Sequence, residues 1–448
     1  MSQTYGAFNT ALRSLYKDDI LQLADNKKRP FEFNDKLFED AASLVYDNGG
    51  FDISQLEDPA ARALINETLR VLSIAIDSGL PHEVPATVRY ALENNAFVFS
   101  GFKTFHSMRE IGLSMVTDKG EIKPFNLFLN DVKKINQKYN HNYLYAEYNH
   151  AVGTSLMAAR WHDFEQDGDR YDLQYRTAGD ERVRVDHALM HETTLPASDP
   201  FWDKYYPPNG WNCRCTVVQV RKGKYPTSDP ELAMKRGDNC TDGVKQRMFR
   251  YNPGKTLQLF PPKHPYYKAP DDAKKTIEEV ARYEHNKALY QKLKEDNNYI
   301  NVEFDKSTGG VKATHIGHNL DKVGGKYELD TLIAGVKAGN IVVLENEKFG
   351  DVGQRFTEGL WNGKPFEVAG CQIGSVNNIL RGLKHCASKR ETEVAVIVLP
   401  NTDFDKVVFE NAIKRFKGLE KLNDGQYLKF KKIICVHNQE VVYITDGI

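Results

Sequence analysis

The chain has 448 residues, of which 27% are charged, and its formal net charge is -1. This length exceeds what one hydrophobic core usually supports, so we expect at least two domains. The balanced charge excludes a global basic field for nucleic-acid binding, so any contact with nucleic acid has to come from a local patch.

No stretch approaches the roughly eighteen consecutive apolar residues that a membrane helix needs, and the first residues lack the pattern of a signal peptide. We therefore expect a soluble chain with no membrane segment. Six cysteines over this length are too few for a disulfide scaffold. Only Cys213 and Cys215 are close enough in sequence to suggest a shared role.

The first half of the chain has a helical pattern that gives way to short strands. Apolar residues recur at spacings of three and four from Asp35 to Lys138, and a further helix is predicted over Tyr143–Glu165. Alternating β-branched and aromatic residues predict strands at Tyr171–Thr177 and Arg182–His187. The following DPFWDKYYPPNGWN segment is rich in Pro, Gly and Asn and predicts a structured loop.

The composition shifts between Lys222 and about residue 297, where Lys, Asp, Pro and Tyr dominate and a charged helical stretch follows. This pattern is typical of a linker that ends in a solvated helix. Two alternatives remain open from the sequence: a disordered tether, or a segment packed against the preceding domain.

A new unit is predicted to begin at Tyr299, with alternating helices and strands in a mixed α/β domain. Its predicted elements, in chain order, are a helix at Gly325–Lys337, a strand at Asn340–Leu344, a hairpin at Phe356–Ala369, a helix at Val376–Lys389, a strand at Glu393–Leu399, a helix at Asp405–Gly418, and strands at Lys432–Val436 and Val441–Thr445.

An ordered set of motifs lies between Tyr175 and Val218. They comprise Thr177, Asp180, Arg182, Val183, Arg184 and His187, then Asp199–Trp202, Pro207–Gly210 and Cys213–Cys215. Together they resemble the signature of the phage Mu F-like head morphogenesis family, and the resemblance covers about residues 90 to 225. It implies a minor capsid component that sits near the portal and travels with the phage head.

The Cys-x-Cys pair within this signature is a candidate zinc site. Cys213 and Cys215 need two further ligands, for which His187 and His191 are the nearest candidates. Because the spacing departs from the usual Cys-x-x-Cys, a reduced and packed cysteine pair is the alternative. The charges of the motif predict a structural network rather than a catalytic one.

The second half carries a candidate catalytic hairpin. Asn362-Gly363 is the preferred pair for a two-residue type I′ turn, and counting outward from it places Glu358 opposite Glu367. Two like charges at this distance are destabilising unless they are compensated, and Mg²⁺ or Mn²⁺ would do so while polarising a phosphodiester. The alternative is that both glutamates face water on an exposed surface.

The layout of a helix with an acid, an acidic hairpin and a second helix resembles the PD-(D/E)xK nuclease core of contact-dependent inhibition and other polymorphic toxins. The resemblance implies that Glu328 is the helix acid and that Glu358 and Glu367 are the hairpin acids. Ala369 stands where the family has a lysine, so Lys364 or Gln372 would have to substitute for it. A degenerate, inactive copy is the alternative.

A metal-free ribonuclease of the barnase, colicin or RelE-like group is a further alternative. Such an enzyme uses a His or Glu as general base and basic side chains to hold the phosphate. The residues available for these roles, as general base or nucleic-acid contacts, are His315, His318, Lys312 and Arg355.

The sequence therefore predicts a multidomain protein: a mainly α capsid module with short β-strands at 1–225, a linker at 226–298 and a mixed α/β nuclease-like domain at 299–448. The expected protein is a phage or prophage minor head component that carries a nuclease toxin. The expected substrate of the toxin is RNA, with tRNA as the favoured RNA, or DNA. Expected partners are portal and capsid proteins, the nucleic-acid substrate and an immunity protein, in the virion and the bacterial host cytoplasm. The rival interpretation is a purely structural head protein.

Overall fold

The computed structural model describes residues 2–22, 30–81, 84–117, 119–181, 183–243, 245–346, 357–389, 392–401, 403–422 and 430–446. Contacts divide the chain into two compact units, Met1–Ala281 and Arg282–Ile448. The first unit is mainly helical and the second is built on a large sheet, which confirms the predicted multidomain α+β class.

The first unit is built on long helices that bury one another's apolar residues. Asp58 begins α3 by accepting a hydrogen bond from the backbone N–H of Ala60 (2.8 Å), with Pro59 at the first helical position. Its long helices are α1 (Ser2–Gln22), α2 (Asp35–Asp47), α3 (Pro59–Gly79), α4 (Ala86–Ser114), α5 (Phe125–Asn136) and α6 (Leu144–Asp167), with a π-helical turn at Gln137–Tyr143 between the last two.

A three-stranded antiparallel sheet follows α6. Its strands are β1 (Tyr171–Arg176), β2 (Thr194–Pro196) and β3 (Thr216–Arg221), in the order β2-β1-β3. Short helices α7 (Val185–Ala188), α8 (Phe201–Tyr205) and α9 (Pro230–Cys240) follow in the chain. The aromatic residues of α8 share a buried cluster with α6 and with Ala233 and Cys240 of α9.

The strand predicted at Arg182–His187 is wrong over the residues that the structure describes there. Residues 183–184 belong to no strand, Val183 closes a turn through its backbone N–H to the carbonyl oxygen of Asp180 (3.1 Å), and α7 begins at Val185. The alternation of side chains reflected a turn followed by one helical turn that buries His187. Arg182 itself lies outside the described residues.

The segment predicted as a linker carries buried aromatic residues of the first unit. The rings of Phe260 and Phe99 stack at 3.7 Å between centroids, and Tyr266 is fully buried. Helices α10 (Pro253–Thr256) and α11 (Asp271–Glu295) follow, and the contact-based division falls between Ala281 and Arg282, within α11. Of the two alternatives, the packed segment is therefore the one observed for residues 253–281, and the division does not coincide with the predicted boundaries.

A buried ion pair joins α4 and α6. The ammonium of Lys103 lies 2.5 Å from Glu147 Oε2 and donates to the carbonyl oxygen of Tyr139 at 2.7 Å. The Tyr16 hydroxyl donates to the other oxygen of Glu147 at 2.8 Å. Burial lowers the pKa of Lys103 and raises the pKa of Glu147, and the pairing opposes both shifts.

The second unit is an eight-stranded mixed sheet. The strand order is β11-β10-β9-β8-β7-β6-β5-β4, with parallel pairs β10/β9, β9/β8 and β6/β5 and antiparallel pairs elsewhere. The strands are β4 (Tyr299–Phe304), β5 (Val311–His315), β6 (Ile341–Leu344), β7 (Gly359–Trp361), β8 (Lys364–Gly370), β9 (Val394–Leu399), β10 (Lys432–His437) and β11 (Glu440–Asp446).

Helices cover both faces of this sheet, since each parallel pair needs a crossover connection. Helix α12 (Gly325–Lys337) packs with Trp361 and Phe366 on one face. Helices α13 (Val376–Ala387) and α14 (Lys406–Leu422) pack on the other face. Every residue of β9 is buried, as expected for a central strand covered on both faces.

The predicted hairpin register is confirmed from the turn out to Gly359, which pairs with Phe366. Asn362 and Gly363 have positive φ angles of 46° and 73°, and Trp361 pairs with Lys364. The Asn362 side chain also reaches the next strand, where its Oδ1 accepts from the backbone N–H of Ile341 at 2.8 Å and its amide donates to Asn340 Oδ1 at 2.8 Å.

Candidate functional site

A cluster of charged side chains lies where the loop after β5, the first turn of α12 and the start of β7 meet. His318 Nε2 lies 2.7 Å from Glu328 Oε2, and the Lys322 ammonium lies 3.0 Å from Glu328 Oε1 and 2.6 Å from Glu358 Oε2. Ligand atoms of His318, Glu328 and Glu358 all fall within 4.8 Å of one another. We call these four residues the acid–lysine cluster.

The positive charge of the Lys322 ammonium lies between the carboxylates of Glu328 and Glu358 and stabilises both. Burial raises the pKa of Glu358, and the neighbouring carboxylates add to the rise while Lys322 opposes it. Burial alone would lower the pKa of His318, but hydrogen bonds to Glu328 and to the Glu345 carbonyl outweigh it and raise that pKa.

His318 uses both ring nitrogens within the fold. Nδ1 lies 2.8 Å from the Glu345 carbonyl oxygen, which can only accept, so Nδ1 carries a hydrogen. Nε2 faces Glu328. His318 therefore orients Glu328, and it would have to release this bond before it could take a proton from a substrate.

The predicted pairing of Glu358 with Glu367 is not observed, because the strand pairing ends with Gly359 opposite Phe366 and the backbone N–H of Glu358 donates to the Phe366 carbonyl oxygen at 3.0 Å. Glu367 has other partners. Its Oε1 lies 3.1 Å from His385 Nε2 and its Oε2 lies 3.2 Å from the Lys389 ammonium. Glu367 is buried, and the hydrogen bond from His385 to it raises the pKa of that histidine. The field of Glu367 still reaches Glu358 and raises its pKa.

Lys364 and Gln372, proposed above as replacements for the lysine of the motif, lie in other surroundings. Lys364 sits at the hairpin turn, where burial and the positive charge of Lys431 lower its pKa. The Gln372 side chain is hydrogen-bonded to the hydroxyl of Tyr327. Ala369, at the motif position itself, packs in the core beneath α13.

The basic residues of the metal-free alternative are dispersed. Lys312 pairs with Glu303 across β4 and β5 (3.1 Å), and Nδ1 of His315 accepts from the backbone N–H of Gly317 (2.9 Å). His318 belongs to the acid–lysine cluster, and Arg355 lies outside the described residues.

Sequence reasoning missed Lys322, which lies between the two glutamates, and the pair His385 and Lys389 beside Glu367. The spacing of His385 and Lys389, four apart near the end of a predicted helix, could have revealed the second set. Lys322 lies in the loop before α12, beside Asp321, and no periodic signal pointed to it.

A second cluster lies in the first unit, and it brings together the three residues predicted as zinc ligands. His187 Nδ1 lies 3.6 Å from Cys213 Sγ and 3.5 Å from Cys215 Sγ. His191 is elsewhere, because its Nδ1 accepts hydrogen bonds from Thr177. We call His187, Cys213 and Cys215 the thiol–histidine cluster.

The two thiols of this cluster share a proton unequally. A hydrogen bond from Cys215, together with His187, places the pKa of Cys213 well below its ordinary value, and the same bond with burial raises the pKa of Cys215. Arg214, between them, forms a bidentate pair with Asp180 at 2.6 Å for both bonds. The motif charges were expected to form a network of Asp180, Arg182 and Arg184, but Asp180 pairs with Arg214 and Arg184 donates to the Trp211 carbonyl oxygen at 2.8 Å. Arg182 lies outside the described residues.

Among the described residues, no helix is both long enough and apolar enough to cross a membrane.

Comparisons with known proteins concern the first unit. The family model described as "Phage Mu protein F like protein" matches residues 125–218, which span α5 through the first half of β3. This range lies within the one that the motif resemblance predicted. No solved structure matches the chain.

Two relatives are each similar to part of this chain. "Putative capsid assembly protein F" of Escherichia phage Mu is 41% identical over 71 residues, 16% of this chain and 16% of that protein. "Mu-like prophage FluMu F protein" of Haemophilus influenzae is 36% identical over 89 residues, 18% of this chain and 22% of that protein. The similarity thus covers less than a quarter of either relative, and the chain carries a Phage Mu protein F like segment over part of its length.

Proposed function

We propose that this chain is a minor component of a phage or prophage head and that its first unit attaches it to the portal and capsid proteins. The observation that supports this proposal is the match of residues 125–218 to the Phage Mu protein F like family, which includes the motifs of the Cys-x-Cys segment. The printed name of the phage Mu relative refers to capsid assembly.

The proposal is tested by locating the chain in purified particles. We expect full-length protein in heads produced from the phage genome that encodes it, quantified by mass spectrometry against the major capsid protein. A matched variant, Trp202→Ala, removes a fully buried aromatic residue of the segment and should reduce incorporation. Heads that contain none of the wild-type chain would contradict the proposal.

A second function is favoured by the acid–lysine cluster. We propose that the second unit hydrolyses phosphodiesters in RNA, with tRNA as the first substrate to test, or in DNA. Support comes from the order of helix α12 with Glu328, hairpin β7–β8 with Glu358 and Glu367, and helix α13, which is the layout of the resemblance.

The roles follow from the contacts. Burial raises the pKa of Glu358 above its ordinary value, which makes Glu358 the carboxyl group of the cluster best suited to proton transfer. Lys322 neutralises both glutamates and can stabilise charge that develops on a phosphate. His318 acts as a positioning residue through Glu328.

Two side chains of the acid–lysine cluster are of the kind that binds a divalent cation, but a third side chain occupies the same oxygens. Glu328 and Glu358 offer carboxylate oxygens, the ligands that Mg²⁺ and Mn²⁺ prefer, but the Lys322 ammonium bridges those same oxygens. Binding of Mg²⁺ or Mn²⁺ would require Lys322 to move, so metal-dependent and metal-free hydrolysis make different predictions. A degenerate unit that cuts nothing is the remaining alternative, and it corresponds to the purely structural head protein.

The test uses the full-length chain, expressed inducibly and then purified. We expect host growth arrest and cleavage of tRNA, other RNA or DNA by wild type, and loss of both in Glu328→Gln and Glu358→Gln. The matched control is Glu440→Gln, an exposed carboxylate in β11. Activity that survives removal of divalent ions supports the metal-free route. Activity that survives both cluster substitutions overturns the assignment.

If the wild-type chain is toxic, co-expression of a small protein encoded beside it should restore growth, as expected for an immunity partner. Loss of toxicity in the cluster variants without loss of head incorporation would separate the second function from the first.

A further inference from the structure

The three ligand atoms of the thiol–histidine cluster lie close enough together to hold a metal ion. Nδ1 of an imidazole offers one hydrogen-bonding position, either a lone pair or an N–H. Two sulfur atoms lie at nearly equal distances from this single nitrogen, 3.6 Å for Cys213 and 3.5 Å for Cys215. One hydrogen bond at Nδ1 together with the bond between the two thiols accounts for this arrangement, and so does an ion placed between the three atoms.

These distances match the edges of a tetrahedron around a metal ion. Zinc–sulfur bonds of about 2.3 Å and zinc–nitrogen bonds of about 2.0–2.1 Å, at a tetrahedral angle, separate the sulfur and nitrogen atoms by about 3.6 Å. All three ligand atoms also lie within 4.8 Å of one another. Thiolate and imidazole together are ligands that zinc favours over calcium or magnesium.

The local fold explains how the three ligands converge. Cys213 and Cys215 are two positions apart just before β3, and side chains at this spacing share one face of an extended chain. Arg214 points to the opposite side, where it pairs with Asp180. His187 is buried on α7 and faces the two sulfurs from a separate segment.

We propose that His187, Cys213 and Cys215 bind a zinc ion. Within the part of the chain that the structure describes, these three form a complete group with no fourth His, Cys, Asp or Glu in it, so a water molecule takes the fourth position. The ion joins α7 to the start of β3, two segments separated by 26 to 28 residues, and thereby stabilises this part of the first unit. This inference does not rest on the proposed function.

The test is metal analysis of the full-length chain, purified without a polyhistidine tag from zinc-supplemented cells under reducing conditions. We expect about one zinc ion per protein chain, measured by inductively coupled plasma mass spectrometry. Replacement by Co²⁺ should produce sulfur-to-cobalt charge-transfer absorption and the intense visible bands of tetrahedral cobalt. Neither measurement requires a variant, so a variant that fails to fold does not affect them.

Variants then assign the ligands. Cys213→Ser, Cys215→Ser and His187→Gln should each weaken zinc binding at least about tenfold in competition with a chelating dye, since each removes one of three protein ligands. The matched control is Cys240→Ser, a buried thiol of the same unit outside the cluster, which should bind zinc as wild type does.

Three results would overturn the proposal: substoichiometric zinc with no cobalt spectrum in folded wild type, equal loss of zinc in Cys240→Ser, or a Cys213–Cys215 disulfide detected by alkylation without reduction. Hydrogen exchange provides a separate readout, because chelation should increase exchange in α7 and at the start of β3 and leave the second unit unchanged.

Discussion

Each unit of the protein contains a lysine paired with a buried glutamate, and the two lysines differ in their access to water. Lys103 is 2% exposed and Glu147 is 0% exposed, and the surrounding hydroxyl and carbonyl groups complete their hydrogen bonds. Lys322 is 29% exposed, while Glu328 beside it is 3% exposed. The first lysine is enclosed in the core, and the second reaches both the interior and the solvent.

This difference separates a structural ion pair from a candidate reactive one. A buried pair contributes to a unique packing and cannot exchange protons with a substrate that never reaches it. A partly exposed cluster with a raised glutamate pKa can do so, and perturbed carboxyl groups at a surface are common in functional sites. The predictions below test whether the two lysines really differ in this way.

The largest effect is expected from Lys103→Met. It leaves Glu147 buried without its cation, which should lower the free energy of unfolding of the first unit by about 3–5 kcal/mol. Urea denaturation followed by tryptophan fluorescence measures this, because three of the four tryptophans, Trp161, Trp202 and Trp211, belong to that unit. The double variant Lys103→Met/Glu147→Leu should recover most of the loss, and a double variant as unstable as the single one would contradict this explanation.

Lys322→Met is expected to separate stability from activity. Water can hydrate part of the two carboxylates that lose their ammonium partner. We therefore expect the free energy of unfolding of the second unit to fall by about 1–3 kcal/mol. Nucleic-acid cleavage should fall on the order of 10²-fold or more, as when one preorganised charge is removed from an active site. Lys326→Met, an exposed lysine on α12, is the control. Equal activity of the two variants would show that the bridging lysine is only structural.

A pH effect should be confined to the second unit. The pKa of His318 is raised above 6.5, so its contribution to stability is fully present below 6.5 and is lost as the pH rises through the raised pKa. Hydrogen-exchange protection of β8 and β9 should therefore decline over that interval, and His318→Gln should flatten the decline. His385, whose pKa Glu367 raises in the same direction, would account for any slope that remains.

The smallest effect is expected from Gln372→Ala. This exposed side chain is hydrogen-bonded to Tyr327 and lies outside the acid–lysine cluster. Stability should change by no more than about 0.5 kcal/mol. Cleavage rates should match those of wild type. A loss comparable to that of Lys322→Met would mean that the lysine replacement proposed from the sequence, and not the observed bridge, serves the reaction.

Local sequence signals predicted much of the second unit. The Asn362-Gly363 pair fixed the hairpin register because both turn positions require positive φ, and the apolar run of Glu393–Leu399 identified the central strand β9. What could not be predicted was the partner of each glutamate. Glu358 and Glu367 were predicted to lie opposite each other, but the strand pairing ends at Gly359 and Phe366, and the surrounding loop and helix decide that Glu358 meets Lys322 and Glu367 meets His385.

The first unit shows the same limit. Cys213 and Cys215 were recognisable as a pair from their spacing, whereas the choice of His187 over His191 depended on a helical turn where a strand was predicted. Composition also misrepresented the segment before α11, since Pro and Lys suggested a tether while its aromatic residues pack in the core.

The Asn362 side chain has a consequence beyond its own turn. By bonding the backbone of Ile341 and the side chain of Asn340, it fastens the tip of the hairpin to β6. A slip of one residue along this hairpin would turn every side chain of β7 to the opposite face. The alignment of Glu358 with Lys322 is thus set by an amide four residues away that touches neither of them, so an uncharged substitution at Asn362 could misplace the acid without altering any charge.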